Sequence, residues 1–287
     1  MNIRTELAKQ ALEKSLEIRE EYQYDYRTPL CIYDLCEQAK VKVQFVDDVS
    51  MEGIYAALAK PTILISALRP LTRRTFTCAH EFAHHVFGHG STIDELKDEA
   101  SEGTFQPNEF LADAFAGYLL MPAQGIKRAF SSRGIDIATA KPEQIYIVAS
   151  SFGAGYETLI GHLERSLQYM KSDQATLLKK TKLSQIRERI LGFSTKDPLA
   201  VVDRQYPIST MDVEVGSLVL LPNGITIESD HIEFFKDAPS GRVFRAMRPG
   251  LARASIPGEN WGVMIRVSRF QYAGLARYRH LEETDGE

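Results

Sequence analysis

The sequence Thr77-Cys78-Ala79-His80-Glu81-Phe82-Ala83-His84-His85-Val86-Phe87-Gly88-His89 places two histidines four residues apart, with a glutamate directly after the first. Because positions i and i+4 are neighbours on a helix, both imidazoles can reach one metal ion. This His-Glu-x-x-His pattern is typical of zinc peptidases. Zinc lowers the pKa of its bound water to about 7, and an adjacent carboxylate, here Glu81, can move the proton to a leaving amine.

The residues around the motif favour a buried helix over the alternative, a solvated helix rich in His and Glu. Apolar side chains surround the histidines: Phe82, Ala83, Val86 and Phe87. Histidines and a glutamate in a buried helix need hydrogen-bond partners or a metal. Thr72 is the predicted N-cap of this helix, and Gly88 is its predicted C-terminal end.

A third metal ligand is expected, because two histidines leave a catalytic zinc one protein ligand short. The segment Asn108–Pro122 predicts a core helix, apolar almost all round, with Asn108 as its N-cap. Glu109 within it is the predicted third ligand. Asp113, one turn later, is predicted to accept the second ring N–H of one of the two histidines. The alternative is that both are ordinary acids of a helix surface.

The sequence gives weaker indications of a functional role for the remaining histidines and for the cysteines. His85 points off the metal face and His89 lies past the helix end, so both are interpreted as surface or core histidines. Cys31, Cys36 and Cys78 are odd in number and lack metal-pair spacing, which favours reduced thiols in a cytoplasmic protein. A regulatory thiol at Cys78, two residues before His80, is the less favoured interpretation.

Composition limits the class of protein. The 287 residues are ordinary globular material of one to three domains. No run of 18 apolar residues and no apolar N-terminal region occur, so we expect neither a transmembrane helix nor a signal peptide, and no membrane partner. Residues 1–175 carry 18 basic and 24 acidic side chains, a net charge of −6, which disfavours a general nucleic-acid surface there.

The hydrophobic pattern predicts an α+β protein in four segments: 1–135, 136–175, 176–198 and 199–287. The first segment is predicted to contain helices over residues 2–22 and from Pro29 to about Ala39, and strands over 41–46, 53–58 and 62–66. Residues 89–107, with Asp94, Glu95, Asp98, Glu99 and Glu102, are predicted to form a surface loop or short helix.

Three groups of residues resemble the ImmA/IrrE metallopeptidases: His80–His85, Glu109–Ala116 and Leu119–Pro122. The resemblance implies a gluzincin-like zinc site on a small sheet. It also implies cleavage of a helix-turn-helix repressor, which releases genes for stress response, mobile-element transfer or phage defence. Family members often have Asn where this chain has Asp113, a modest departure that leaves the orienting role intact.

Residues 142–170 predict two helices, from Glu143 to Phe152 and from Tyr156 to Met170, joined by a Gly153-Ala154-Gly155 turn. Their spacing is that of a helix-turn-helix. The second helix has only Arg165 as a basic residue, so a structural pair is favoured over a DNA-binding one. Segment 176–198, with Lys179, Lys180, Lys182, Arg187 and Arg189, is predicted to be a basic helical connector.

Segment 199–287 predicts a separate, mostly antiparallel β domain, which in the family often has a sensor-like, GAF-type fold. Arginines alternate there with aromatic residues, a pattern that suits single-stranded nucleic acid. A normal solvated face is preferred, and a small-molecule signal stays open.

The sequence therefore predicts a cytoplasmic zinc endopeptidase. One zinc ion, or Mn²⁺ in its place, is expected on His80, His84 and Glu109, with Glu81 as general base and Asp113 orienting a histidine. The alternative is a non-catalytic regulator with a structural zinc that binds DNA or a ligand.

Overall fold

The structure is a computed structural model that describes residues 2–95, 105–207 and 210–281. Its α-helices are α1 (Ile3–Glu21), α2 (Ile32–Gln38), α3 (Leu71–Phe87), α4 (Pro107–Leu120), α5 (Ala123–Ser131), α6 (Pro142–Ser151), α7 (Tyr156–Gly161), α8 (Ser172–Lys179) and α9 (Leu183–Leu191). Its strands are β1 (Lys42–Val46), β2 (Met51–Ala56), β3 (Thr62–Ser66), β4 (Thr92–Glu95), β5 (Leu199–Val201), β6 (Thr210–Glu214), β7 (Leu218–Leu221), β8 (Thr226–Glu228), β9 (Ile232–Ala238), β10 (Gly241–Ala246), β11 (Gly250–Ser255), β12 (Gly262–Ser268) and β13 (Gly274–Leu275).

The chain divides into two compact units. One unit contains Met1–Gly125 and Gln271–Tyr278, and the other contains Ile126–Phe270 and the residues from Arg279 onward. This is a different division from the four predicted segments, which stay a prediction. Helices and three small sheets confirm the α+β class, while the gluzincin-like and GAF-type descriptions also stay predictions. Among the described residues, no helix combines the length and the apolar character needed to cross a membrane.

The sheet of the first unit has the strand order β13-β1-β3-β2-β4. The predicted strands β1, β2 and β3 are present, with β1 parallel to β3 and β2 antiparallel to β3. Every second residue of β2 is buried, which is the alternation expected of a strand with one covered face. The loop or short helix predicted after His89 is wrong for Thr92–Glu95, because this segment pairs with β2 as an edge strand. The predicted loop residues Asp98, Glu99 and Glu102 lie outside the described residues.

Three predicted helix starts are wrong by two or three residues. Helix α2 begins at Ile32 and not at Pro29, α3 has Pro70 and not Thr72 at its N-cap, and α4 has Gln106 and not Asn108 at its N-cap. In α4, Pro107 occupies the first helical position, where the missing N–H costs nothing. In α3 and α4, a proline at the helix start therefore outweighs the capping side chains on which those two predictions depended. The predicted end of α3 at Gly88 is confirmed, because Gly88 has a left-handed conformation with φ of +67°.

Arg19 on α1 ties that helix to the end of α4. Its side chain is completely buried, and its Nε and Nη2 atoms donate to the Leu119 carbonyl oxygen at 2.9 and 2.6 Å. Its Nη1 atom donates to the carbonyl oxygens of Asp25 and Thr28. Carbonyls in the last turn of a helix lack intrahelical partners, so the guanidinium satisfies one of them. Burial lowers the pKa of Arg19 to about 10, which still leaves the side chain charged at neutral pH.

The second unit contains two four-stranded sheets, β5-β7-β10-β9 and β6-β12-β11-β8. Most of the pairs are antiparallel, but β5 with β7 and β6 with β12 are parallel. One apolar cluster contains residues of both sheets, including Val219, Phe244, Val263 and Ile265. Strand β9 consists mostly of exposed residues and shows no alternation of burial.

The predicted helix pair corresponds to α6 and α7. Helix α7 ends at Gly161, and one π-helical turn, His162–Ser166, follows it. The prediction of a helix that reaches Met170 is therefore wrong at its C-terminal end. Gln168 there has a positive φ of 55°, which a continuing helix does not allow. The predicted basic connector falls on α8 and α9, and its Arg189 pairs with Glu143 of α6.

We expect Arg19→Leu to weaken the attachment of α4. The substitution leaves three carbonyls without their donor and lowers the local stability of α1 and α4 by about 2–4 kcal/mol. Hydrogen exchange followed by mass spectrometry should show faster exchange in peptides of both helices. Arg27→Leu, at an exposed arginine of the following loop, is the matched control and should change exchange little. Equal effects of the two substitutions would contradict the role assigned to Arg19.

The second unit contains an acid–base cluster with a defined pH dependence. Arg266 on β12 and Arg279 donate to the Asp212 carboxylate at 2.6–3.1 Å. Burial raises the pKa of Asp212, but the charges of both arginines and their hydrogen bonds outweigh this effect and lower it to about 2. The ordinary pKa of an Asp is near 3.9. The cluster therefore stabilises the fold above about pH 4, and this contribution is lost as the pH falls towards 2.

We therefore expect a loss of about 2 kcal/mol between pH 4 and pH 2 that depends on Asp212. Urea unfolding followed by the fluorescence of Trp261, the one tryptophan of the chain, measures it. Asp212→Asn should be less stable at pH 7 and should lack this part of the acid dependence. An Asp212→Asn protein with the same slope between pH 4 and pH 2 as the wild type would contradict the assignment.

Candidate metal centre

The two motif histidines lie one helical turn apart on a buried face of α3. Their side chains are almost fully buried, and their Nε2 atoms are 3.1 Å from each other. Since α3 packs against the covered face of the sheet and against α4, this turn of the helix is enclosed by protein. The predicted convergence of His80 and His84 is therefore present.

Glu109, in the first turn of α4, brings a carboxylate to the same place. Its Oε2 atom lies 3.4 Å from His80 Nε2, and its Oε1 atom lies 3.6 Å from His84 Nε2. The structure thus places His80, His84 and Glu109 in one group that could hold a metal ion, with ligand atoms within 4.8 Å of one another.

The spacing of these atoms fits zinc. Tetrahedral zinc with bonds of about 2.0–2.1 Å places its ligand atoms about 3.3–3.4 Å apart. The two Nε2 atoms are 3.1 Å apart, and each lies 3.4 or 3.6 Å from a different carboxylate oxygen of Glu109, so all three distances are near that value. Two imidazoles and one carboxylate are also an established ligand set for a catalytic zinc with an open position.

Asp113 lies beside the first of these histidines. Its Oδ1 atom is 2.8 Å from His80 Nδ1. An ionised carboxylate only accepts hydrogen bonds, so Nδ1 carries the proton, and the Nε2 of a neutral ring keeps its lone pair for a cation. Asp113 is 65% exposed, so the sequence argument that it lies in apolar surroundings was wrong, although the contact that it predicted is present.

Glu81 is held between two strands that sequence analysis did not connect with the site. Its side chain is completely buried, and its Oε2 atom accepts a hydrogen bond of 3.1 Å from the Thr92 hydroxyl on β4. On β2, a Cβ atom at Gly53 would lie 2.8 Å from Glu81 Oε1, closer than such atoms approach each other. Gly53 at the start of a predicted strand was the available signal, since a glycine in a strand often marks the place where another group approaches the backbone closely.

The two other histidines near the motif, His85 and His89, contact different side chains. His85 Nδ1 lies 2.8 Å from the Tyr55 hydroxyl, and His89 Nδ1 lies 2.9 Å from His84 Nδ1. Burial lowers the pKa of both imidazoles; for His89, Glu109 opposes this effect and His80 adds to it. Sequence analysis missed the contact of His89 with a predicted ligand.

Cys78 is buried, and its Sγ atom lies 3.9 Å from Cys36 Sγ. Burial, with a smaller effect of Cys36, raises the pKa of the Cys78 thiol well above its usual value. Reactive cysteines have lowered pKa values, so this environment is typical of an inert thiol. The regulatory role of Cys78 stays a prediction.

The ligand assignment predicts one zinc ion per chain. We expect Glu109→Ala to lower zinc affinity by more than about 100-fold, because loss of a ligand should cost more than the 10–100-fold typical of its hydrogen-bond partners. Elemental analysis and competition with a chromogenic chelator measure stoichiometry and affinity. Glu13→Ala, at an exposed acid of α1, is the control. Wild-type protein purified without chelators and free of metal would contradict the site.

Comparison with known proteins gives one result that bears on this site. Residues 36–163 match the family model of the IrrE N-terminal-like domain, Peptidase_M78. A search of curated proteins gave no match. The matched range includes His80, Glu81, His84, Glu109 and Asp113, and the family implies a metallopeptidase-type domain. The chain therefore carries an IrrE N-terminal-like domain at residues 36–163, which confirms the resemblance of its motifs to the ImmA/IrrE metallopeptidases.

Proposed function

We propose that this protein is a zinc-dependent endopeptidase that makes one site-specific cut in a cognate helix-turn-helix repressor. The observation that carries the proposal is the position of a buried carboxylate, Glu81, in the same helical turn as two imidazoles that converge with Glu109. A general base beside an open metal site is what peptide hydrolysis needs.

Each residue of the centre has a role in this chemistry. His80, His84 and Glu109 would hold the ion, zinc or Mn²⁺, and Asp113 would fix the His80 ring through its Nδ1 proton. When bound, the ion would act as a Lewis acid and make water acidic enough to lose a proton near neutral pH.

Glu81 would move the proton. Its carboxylate accepts a proton from the attacking water and delivers it to the amine nitrogen that leaves. The Thr92 hydroxyl holds Oε2 in one orientation, and the missing side chain at Gly53 provides room for the carboxylate. A base fixed in this way loses little entropy in the reaction.

The choice of substrate depends on the family. In proteins that the chain resembles, the cut repressor releases genes for stress response, mobile-element transfer or phage defence. We propose the same consequence here, in the cytoplasm, with a signal acting through the C-terminal β strands. A small molecule or single-stranded nucleic acid is the proposed signal, since Arg242 and Arg245 lie over the rings of Phe234 and Phe235.

The rival function is a non-catalytic regulator with a structural zinc. Structural zinc sites usually have four protein ligands, and the group found among the described residues has three. Glu81 would also have no role in a structural site. Both observations favour the peptidase.

We expect the wild-type protein, co-expressed with the repressor encoded beside its gene under inducing conditions, to convert that repressor into two fragments. Hydrolysis at one bond makes the fragment masses add up to the mass of the repressor plus one water molecule. Intact-mass spectrometry after gel separation identifies the bond. Glu81→Gln, which keeps the shape but loses the base, should leave the repressor intact.

Zinc content separates the roles of the residues in this experiment. Glu81→Gln should bind zinc as the wild type does, whereas His80→Ala should lose both zinc and cleavage. An intact repressor with both the wild type and Glu81→Gln would contradict the proposal. Many fragments from unrelated proteins, such as casein, would contradict the specificity.

A further inference from the structure

The end of α3 turns the chain back towards the metal centre. Gly88 is in the left-handed conformation, its N–H donates to the His85 carbonyl oxygen at 3.2 Å, and the His89 N–H donates to the His84 carbonyl oxygen at 3.0 Å. These two bonds define a Schellman motif, which ends a helix and reverses the direction of the chain. As a result, His89 lies beside His84 although it is outside the helix.

The two ring nitrogens of His84 have different surroundings. Its Nε2 atom faces His80 Nε2 and Glu109 Oε1, whereas its Nδ1 atom lies 2.9 Å from His89 Nδ1. In a pair of imidazole nitrogens, one atom donates and the other accepts. If His84 Nε2 keeps its lone pair for a cation, His84 Nδ1 donates and His89 Nδ1 accepts, so His89 carries its own proton on Nε2.

Aromatic contacts hold the His89 ring in this position. It stacks on Phe87 with centroids 5.7 Å apart and an angle of 15° between the planes. Phe87 in turn packs edge-on against Phe115 of α4, with centroids 5.6 Å apart. Such pairs contribute about 0.5–1.5 kcal/mol beyond the area that they bury. The acceptor is therefore fixed before an ion binds.

We propose that His89 is the positioning residue of His84, as Asp113 is of His80. By accepting the Nδ1 proton, His89 fixes the tautomer and the ring angle in which His84 Nε2 points at the ion. His89 contacts the side of the His84 ring away from Glu109, so it orients a ligand and is not a ligand itself.

Zinc affinity tests this role without any substrate. In His89→Phe, the ring stacked on Phe87 is kept but the acceptor is lost, and we expect zinc affinity to fall by about 10–100-fold with the stoichiometry still one ion per chain. In His89→Asn, the side-chain oxygen occupies the place of Nδ1 and can accept the same proton. This variant should bind zinc within about threefold of the wild type, by the same hydrogen-bond logic. His85→Phe, which removes a neighbouring imidazole that contacts Tyr55, is the matched control and should not change zinc affinity.

The turn itself gives an independent variant pair. A Cβ atom at Gly88 would meet no other atom within 4 Å, so the positive φ is the main restriction on this position. Gly88→Asn tolerates that conformation and should keep zinc affinity, whereas Gly88→Val strains the turn and should lower it. Far-UV circular dichroism of the zinc-free variants shows whether α3 stays folded.

Three results would overturn the proposal: wild-type affinity in His89→Phe, an equal loss in His89→Asn and His89→Phe, or one nitrogen ligand fewer in the X-ray absorption spectrum of zinc-loaded His89→Phe. The last result would make His89 a ligand. A protein that binds zinc in the expected way but cuts no repressor would contradict the proposed function and leave the role of His89 standing.

Discussion

The contact of Glu109 with two histidines of another helix is the constraint on which this structure depends. The carboxylate approaches both Nε2 atoms to 3.4 and 3.6 Å only while α4 lies against α3. Phe115 of α4 packs against Phe82 and Phe87 of α3, and the buried Arg19 of α1 holds the last turn of α4. A helix distant in sequence therefore contributes to the geometry of the site.

Supporting contacts surround the centre on different sides. Asp113 and His89 contact the Nδ1 atoms of the two histidines, and both contacts leave the Nε2 atoms directed at the same point. The Thr92 hydroxyl holds Glu81 through a hydrogen bond, and Gly53 on the adjacent strand leaves room for its carboxylate. Ligand orientation thus depends on helix ends and helix faces, whereas orientation of the base depends on the sheet. Substitutions that disturb the orientation of the two histidines should therefore leave the position of Glu81 largely intact, and the reverse should also hold.

Sequence reasoning found the parts of the site that follow from regular periodicity. The spacing of His80 and His84 requires only a helix, and Glu109 and Asp113 stand out as acids of an apolar segment. The contacts of Thr92 and His89 could not be found in this way. Thr92 belongs to a four-residue edge strand without a clear pattern, and His89 approaches His84 only because the chain reverses at Gly88. The exposed position of Asp113 was also missed, since the apolar character of α4 is concentrated in its second half.

The separation of the ligands along the chain has a consequence for the entropy of the protein. His84 and Glu109 are 25 residues apart, so an ion bound to both would cross-link the ends of that stretch. Closing a flexible loop of this length costs on the order of 3 kcal/mol of chain entropy. If the first turn of α4 separated from α3 while the ion stayed bound to both residues, the chain between them would have less conformational freedom than without the ion. An ion bound at this centre would thus act as a cross-link between two helices.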